Sequence, residues 1–146
     1  MDFNALCLGC RTYRRFERKE IPEEILTELL ENARVANSVM NGQVLRYVLV
    51  KSQETVKKLQ PYFHFAAALP KELGQPKEGE QPTAFIILCT EGRESPWTDM
   101  DIGIAVRTMN LNAYNHGVGS CILGNVEFES GSSLMKPPDA LYEVCA

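Results

Sequence analysis

Cys10-Arg11-Thr12-Tyr13-Arg14-Arg15-Phe16, with Ile21-Pro22-Glu23-Glu24 close behind it, is the stretch from which the organisation of the chain unfolds. Proline suits a first helical position, and two glutamates in the first turn complement the helix dipole. Ile25, Leu26, Leu29, Leu30 and Ala33 then recur at helical spacing, which predicts a helix over 22–35 with one buried face. The arginines ahead of it present planar forks of donors that fit a phosphate bidentately, and the Thr12 hydroxyl can add a short hydrogen bond. In a chain of net charge −4, this cluster reads either as a local anion site or as a solvated basic turn.

Upstream, residues 2–9 read as a short helix with Phe3, Leu6 and Cys7 on one side, ended by Gly9. Downstream, the polar bend Asn37-Ser38-Val39-Met40-Asn41-Gly42-Gln43 feeds Val44–Val50, a β-branched and aromatic run that predicts a buried strand. By composition alone, that bend could be no more than a helix-to-strand turn. A helix is expected over 53–63, with Val56, Leu59 and Phe63 inward and Pro61 near its end. The Pro/Gly-rich 74–82 is expected to be a mobile lid. Thr83–Cys89 reads as a second strand. Ile102, Ala105, Val106, Met109 and Ala113 stripe a helix over 99–116, closed by Gly117 in a left-handed cap, and Asp99 and Asp101 read as its start. Gly119–Gly124 and Leu141–Ala146 read as two more strands. Strands alternating with helices predict an α/β sandwich, with α+β equally acceptable, in one domain spanning residues 1–146.

With 146 residues, 45% hydrophobic and 23% charged, the composition is that of an ordinary globular domain. A pI near 5.2 argues against nucleic-acid or anionic-membrane partners, which require a broad basic surface. No apolar run approaches the roughly 20 residues that span a bilayer. Met1-Asp2-Phe3-Asn4 lacks a basic and then apolar leader, so the expected location is cytoplasmic. Five cysteines without framework spacing are expected to be thiols, and Cys7-Leu8-Gly9-Cys10 reads as two helix-end thiols with a redox role as the alternative. His64 and His116 stand apart from any partner ligand, so no metal site is expected. No Ser/His/Asp or Cys/His arrangement suggests a catalytic nucleophile.

Four blocks, in order, resemble the FMN-dependent nitroreductase family in its short form. Arg11-Thr12-Tyr13-Arg14-Arg15-Phe16 with its helix start is similar to the family's Arg-Arg-Ser-x-Arg-x-Phe. Ala36-Asn37-Ser38-Val39-Met40-Asn41-Gly42-Gln43 is similar to Ala-Pro-Ser-x-x-Asn-x-Gln. Asp101-Ile102-Gly103-Ile104-Ala105 through Asn110 is the third block. His116-Gly117-Val118-Gly119-Ser120-Cys121-Ile122-Leu123-Gly124 is close to Gly-Leu-Gly-Ser-Cys-Trp-Ile-Gly.

The resemblance implies a central mixed or antiparallel sheet flanked by helices, and a homodimer with FMN at the subunit interface, reduced by NADH or NADPH. By residue, it implies that Arg11, Thr12 and Arg14 hold the FMN phosphate and ribityl chain. Ser38, Asn41 and Gln43 would meet the isoalloxazine ring, some of them from the partner subunit. Backbone amides around Leu123 and Gly124 would approach the reactive edge of the ring. The acceptor implied is a nitroaromatic, a quinone or a similar small conjugated molecule. Cys10 stands where the family often has its first arginine, Asn37 replaces the usual proline, and Val44-Leu45 replace Pro-Trp. The chain stops at Ala146, where family members usually continue into a tail around the partner. Two alternatives stand beside the enzyme: a catalytically weak flavin- or ligand-binding protein on the same fold, and a CxxC redox sensor without cofactor.

Overall fold

A computed structural model describes residues 2–66, 68–90, 93, 95–124 and 142–145. Helix α1 (Phe3–Gly9) starts on Asp2, whose carboxylate accepts the N–H groups of Asn4 and Ala5 at 2.9 and 3.1 Å. Phe3 is 74% exposed, so it does not join Leu6 and Cys7, which are half-buried, in a covered side. Helix α2 (Glu23–Val35) buries Leu26, Leu29 and Ala33; Pro22 is its cap rather than its first helical residue, because its ψ of 137° is still extended.

Strand β1 (Arg46–Val50) begins two residues later than the apolar run, since its ladder to the next strand opens at Arg46 opposite Cys89. Helix α3 (Gln53–Leu59) is shorter than expected. Pro61 has no N–H to continue the ladder, and the chain tightens into a 3₁₀ turn over Gln60–Tyr62. Its expected inner face, Val56, Leu59 and Phe63, is buried. A single helical turn, α4 (Lys71–Gly74), ends at the first residue of the Pro/Gly-rich segment. Strand β2 (Phe85–Cys89), helix α5 (Thr98–Asn115), β3 (Cys121–Leu123) and β4 (Tyr142–Cys145) complete the described elements.

The strands lie in the order β1-β2-β4-β3, with every neighbouring pair antiparallel. β2 is buried at all five positions, as a strand covered on both faces must be. Its side chains alternate, as the pleat requires. Phe85, Ile87 and Cys89 pack with Val56, Leu59 and Phe63, while Ile86 and Leu88 pack with Leu29 and Ala33 of α2 and the stripe of α5. The Phe63 and Phe85 rings meet at 4.7 Å between centroids. Ile102, Ala105, Val106, Met109 and Ala113 are all buried, and Gly117 takes the left-handed cap conformation at φ 74°. The chain is therefore a mixed helix-and-sheet domain with helices on both sides of an antiparallel sheet. None of the described helices is long and apolar enough to cross a membrane.

The C-terminal end of α5 is also clamped to the middle of α2. Glu28 accepts Asn112 Nδ2 at 3.0 Å and lies 3.1 Å from His116 Nε2. Chiefly through the Asn112 hydrogen bond, this holds the Glu28 carboxyl below the usual carboxylate range.

Candidate functional site

The basic segment runs alongside the start of β3. Thr12 forms a parallel bridge with Ser120, and the Tyr13 N–H donates to the Ser120 carbonyl at 3.0 Å. Gly119 permits this approach, since a Cβ there would stand 2.9 Å from Tyr13 Cγ. The register is locked from below by Asn110, which is 6% exposed on α5. Its Oδ1 accepts the Cys10 thiol at 3.0 Å and Arg107 Nη1 at 2.7 Å, and its Nδ2 donates to Ser120 Oγ at 2.7 Å. One side-chain amide thus ties the N-terminal segment, α5 and β3 together. Cys10 is buried against α5 and faces this amide, so it serves the clamp and offers nothing to an anion outside.

The three arginines are employed differently. Arg15 donates to the carbonyls of Gln75 at 2.8 Å and Leu73 at 3.1 Å and pairs with Glu80 at 3.3 Å. With the Phe16 N–H on the Glu80 carbonyl at 2.9 Å, it straps the segment expected to be a lid against the basic stretch. Arg11 donates to its own neighbour's carbonyl, Cys10, at 2.9 Å, and Arg14 Nε donates to the Phe65 carbonyl at 2.9 Å. Neither has a carboxylate partner among the described residues, and both are exposed beside the exposed Thr12. Two guanidinium groups without counter-charge next to a hydroxyl are the donor set a phosphate requires. Burial pushes the thiol of Cys121, on β3, up to about 11, with the charge of Arg14 pulling it back.

Leu123 is buried and Gly124 exposed. A Cβ added at Gly124 would meet nothing within 4 Å, so its backbone faces open space.

The bend after α2 is built separately. Val39–Asn41 forms a 3₁₀ turn, and Met40, Asn41 and Gln43 all hold left-handed backbone, at φ 52°, 53° and 46°. That conformation costs a non-glycine residue roughly 1–2 kcal/mol, so the surroundings must impose it. Asp101 of α5, 4% exposed, accepts the Val39 N–H on Oδ1 at 2.8 Å, and Ser38 Oγ accepts the Gln43 N–H at 3.2 Å. Asn41 and Gln43 point outward, and Met40 is 87% exposed. Burial, and then the nearby Asp101 carboxylate, raise the Tyr47 phenol above its ordinary value.

Arg11, Thr12 and Arg14 therefore share one region with the start of β3, the strand that runs on to Leu123 and Gly124. Ser38 and Gln43 line another, a cavity of about 390 Å³ bounded also by Tyr47 and Asp101, which none of those five residues reaches. Asp101 anchors one region and Asn110 the other; nine residues of helix put them about 13 Å apart along the axis. Among the described residues no three His, Cys, Asp or Glu side chains gather to hold a metal.

Two residues that organise the site are absent from the sequence-derived set. Asp101 reads as a helix start but anchors the bend. Asn110 sits at stripe spacing, four residues after Val106, and a polar residue on an apolar stripe is a signal for a buried hub.

The pattern of the nitroreductase family matches residues 9–144. The chain belongs to the nitroreductase family. Two curated members are similar to it in sequence, both provisionally named NADH dehydrogenase/NAD(P)H nitroreductase. The one from Methanothermobacter thermautotrophicus is 26% identical over 117 residues, covering 78% of this chain and 56% of its own length. The one from Archaeoglobus fulgidus is 28% identical over 118 residues, covering 78% and 62%. The chain thus spans about six-tenths of these two relatives. In fold, it is similar to a nitroreductase family protein from Clostridium difficile 630, with a TM-score of 0.77 at 20% identity over 99% of this chain and 83% of that one. A nitroreductase with bound FMN from Bacteroides fragilis gives 0.74 at 22% identity, over 99% and 87%.

Proposed function

We propose that this nitroreductase-family chain binds FMN as a homodimer and works as an NAD(P)H-dependent oxidoreductase on a nitroaromatic, quinone or similar small conjugated acceptor. The observation that carries this reading is the alignment of Thr12 against Ser120, which sets Arg11 and Arg14, free of carboxylates among the described residues, beside the start of β3. Arg11, Thr12 and Arg14 would grip the phosphate of FMN, and the Leu123 and Gly124 amides would donate to its ring. Ser38 and Gln43 line a cavity that Arg11, Thr12 and Arg14 do not reach, and Asn41 is exposed on the same bend, so a ring touching both sets takes the bend from a second copy. Bound FMN would supply the redox chemistry, accepting a hydride from NADH or NADPH and passing it to the acceptor. The protein's own part is to bind, orient and shield, and no side chain is required as a nucleophile.

Purified protein is expected to be yellow, or to become so with added FMN, absorbing at about 450 nm as the cofactor itself does. Anaerobic NADH or NADPH should bleach it, and added quinone should restore the colour. Flavin that binds but resists reduction would favour the catalytically weak reading, to which the buried Cys10 in place of an arginine lends support. Protein that takes up no flavin would overturn both.

A further inference from the structure

We infer that Cys7 and Cys10 form a reversible disulfide, and that closing it opens the Cys10–Asn110–Ser120 clamp under the basic segment. The pair is the one cysteine motif that the flavin reading does not use. The Cys10 N–H still donates to the Leu6 carbonyl at 3.0 Å, so Cys10 completes the last turn of α1. Residues three apart on a helical turn have Cα atoms about 5 Å apart, inside the span a disulfide bridges. Cys7 is half-buried, within reach of a small reagent, whereas Cys10 is buried.

The oxidant is a low-molecular-weight disulfide. The Cys7 thiolate attacks one of its sulfurs, a mixed disulfide forms, and one small thiolate leaves. The Cys10 thiolate then attacks the Cys7 sulfur and expels the second. Overall, two protein thiols are oxidised, one small disulfide is reduced to two thiols, and the two cysteine protons pass to the departing thiolates.

The consequence follows from what Cys10 does when reduced. Its S–H donates to Asn110 Oδ1 at 3.0 Å, and its sulfur accepts Arg107 Nη1 at 3.5 Å. A sulfur bonded to Cys7 has no proton to give and is pulled back toward α1. The amide that also holds Ser120 Oγ then loses its N-terminal tether. Cys10 directly precedes Arg11 and Thr12, so oxidation loosens the residues set beside Ser120. The sulfur chemistry is independent of flavin, and only its effect on cofactor affinity rests on the function proposed above.

The test uses the full chain without flavin, treated with oxidised glutathione and alkylated. Trypsin cleavage after Arg11 isolates both cysteines in one peptide, which is expected to be lighter by two hydrogens and to regain them on reduction. Amide exchange at Tyr13, whose N–H is held by Ser120, should quicken in the oxidised protein. Cys7→Ser should abolish both effects while leaving the clamp intact. Oxidised glutathione that leaves the peptide unchanged would overturn the inference. A disulfide that forms without altering Tyr13 exchange would overturn it equally, as would faster exchange in oxidant-treated Cys7→Ser.

Discussion

The Asp101 carboxylate accepts the Val39 N–H at 2.8 Å, joining the first turn of α5 to a bend 62 residues earlier in the chain. Asp101 is buried and Val39 half-buried, and the bend they fix carries three left-handed non-glycine residues. Asp101→Ala would leave the Val39 N–H unpaired and is expected to cost about 1–3 kcal/mol. Asp101→Asn retains an acceptor oxygen and should cost less. Urea denaturation ranks the variants, and Val39 amide exchange localises the effect. An alanine variant as stable as wild type would show that the bend holds itself.

Met40 is exposed, and its left-handed backbone is the kind glycine adopts without strain. Met40→Gly is therefore expected to leave stability unchanged or to raise it by up to about 1 kcal/mol, since relief of strain opposes the extra entropy of an unfolded glycine. Thermal unfolding reads this directly. A clear loss of stability would mean that the methionine side chain makes a contact of its own.

The Cys121 thiol, at about 11 rather than the ordinary 9.0, gives an alkaline signature. A group whose folded pKa is raised contributes stability that is complete below pH 9 and is lost as pH climbs through 11. The shift corresponds to at most about 3 kcal/mol. Wild type should lose more stability than Cys121→Ala across this window, and the difference separates the thiol from the Tyr47 phenol, which titrates in the same sense. In native protein at pH 8, iodoacetamide should reach Cys7 and spare Cys121. Equal labelling of the two would contradict the burial of Cys121.

Arg14 and Arg15 are neighbours with opposite employment. Arg15 spends its donors on Leu73, Gln75 and Glu80, whereas Arg14 commits one nitrogen to Phe65. Arg14→Ala should weaken FMN binding roughly tenfold or more, the usual value of a hydrogen bond to a charged group. Arg15→Ala should loosen residues 73–80, seen as faster amide exchange there, with a smaller effect on FMN. Equal loss of FMN affinity in both would count against Arg14 as a phosphate ligand.

What could be read in advance was what periodicity controls. Ile102, Ala105, Val106, Met109 and Ala113 repeat with the helix and are all buried, and β2 is an unbroken apolar run because both its faces are covered. That the basic segment pairs with the start of β3, Thr12 opposite Ser120, was not read from the sequence, because an isolated bridge leaves no periodic pattern. The hold of Asp101 on Val39 and of Asn110 on Cys10 was not legible, because these partners lie 62 and 100 residues away and depend on how α5 is seated. The strap formed by Arg15 was missed for a similar reason. Two of its acceptors, at Leu73 and Gln75, are backbone carbonyls, which carry no mark in the sequence, and the third, Glu80, lies 65 residues away. The left-handed Met40 and Gln43 belong to types that seldom adopt that backbone, so composition pointed elsewhere.

In the proposed dimer one flavin site takes its basic segment from one copy and its bend from the other. The decisive measurement mixes the Arg14→Ala and Gln43→Ala variants and refolds them together. Each variant alone should bind FMN weakly, while the mixed dimer regains one intact site, made from Arg14 of one chain and Gln43 of the other. Recovery of tight binding at up to one FMN per mixed dimer is the expected result. A mixture that binds no better than its parents, or flavin carried by a monomer in sedimentation, would contradict it.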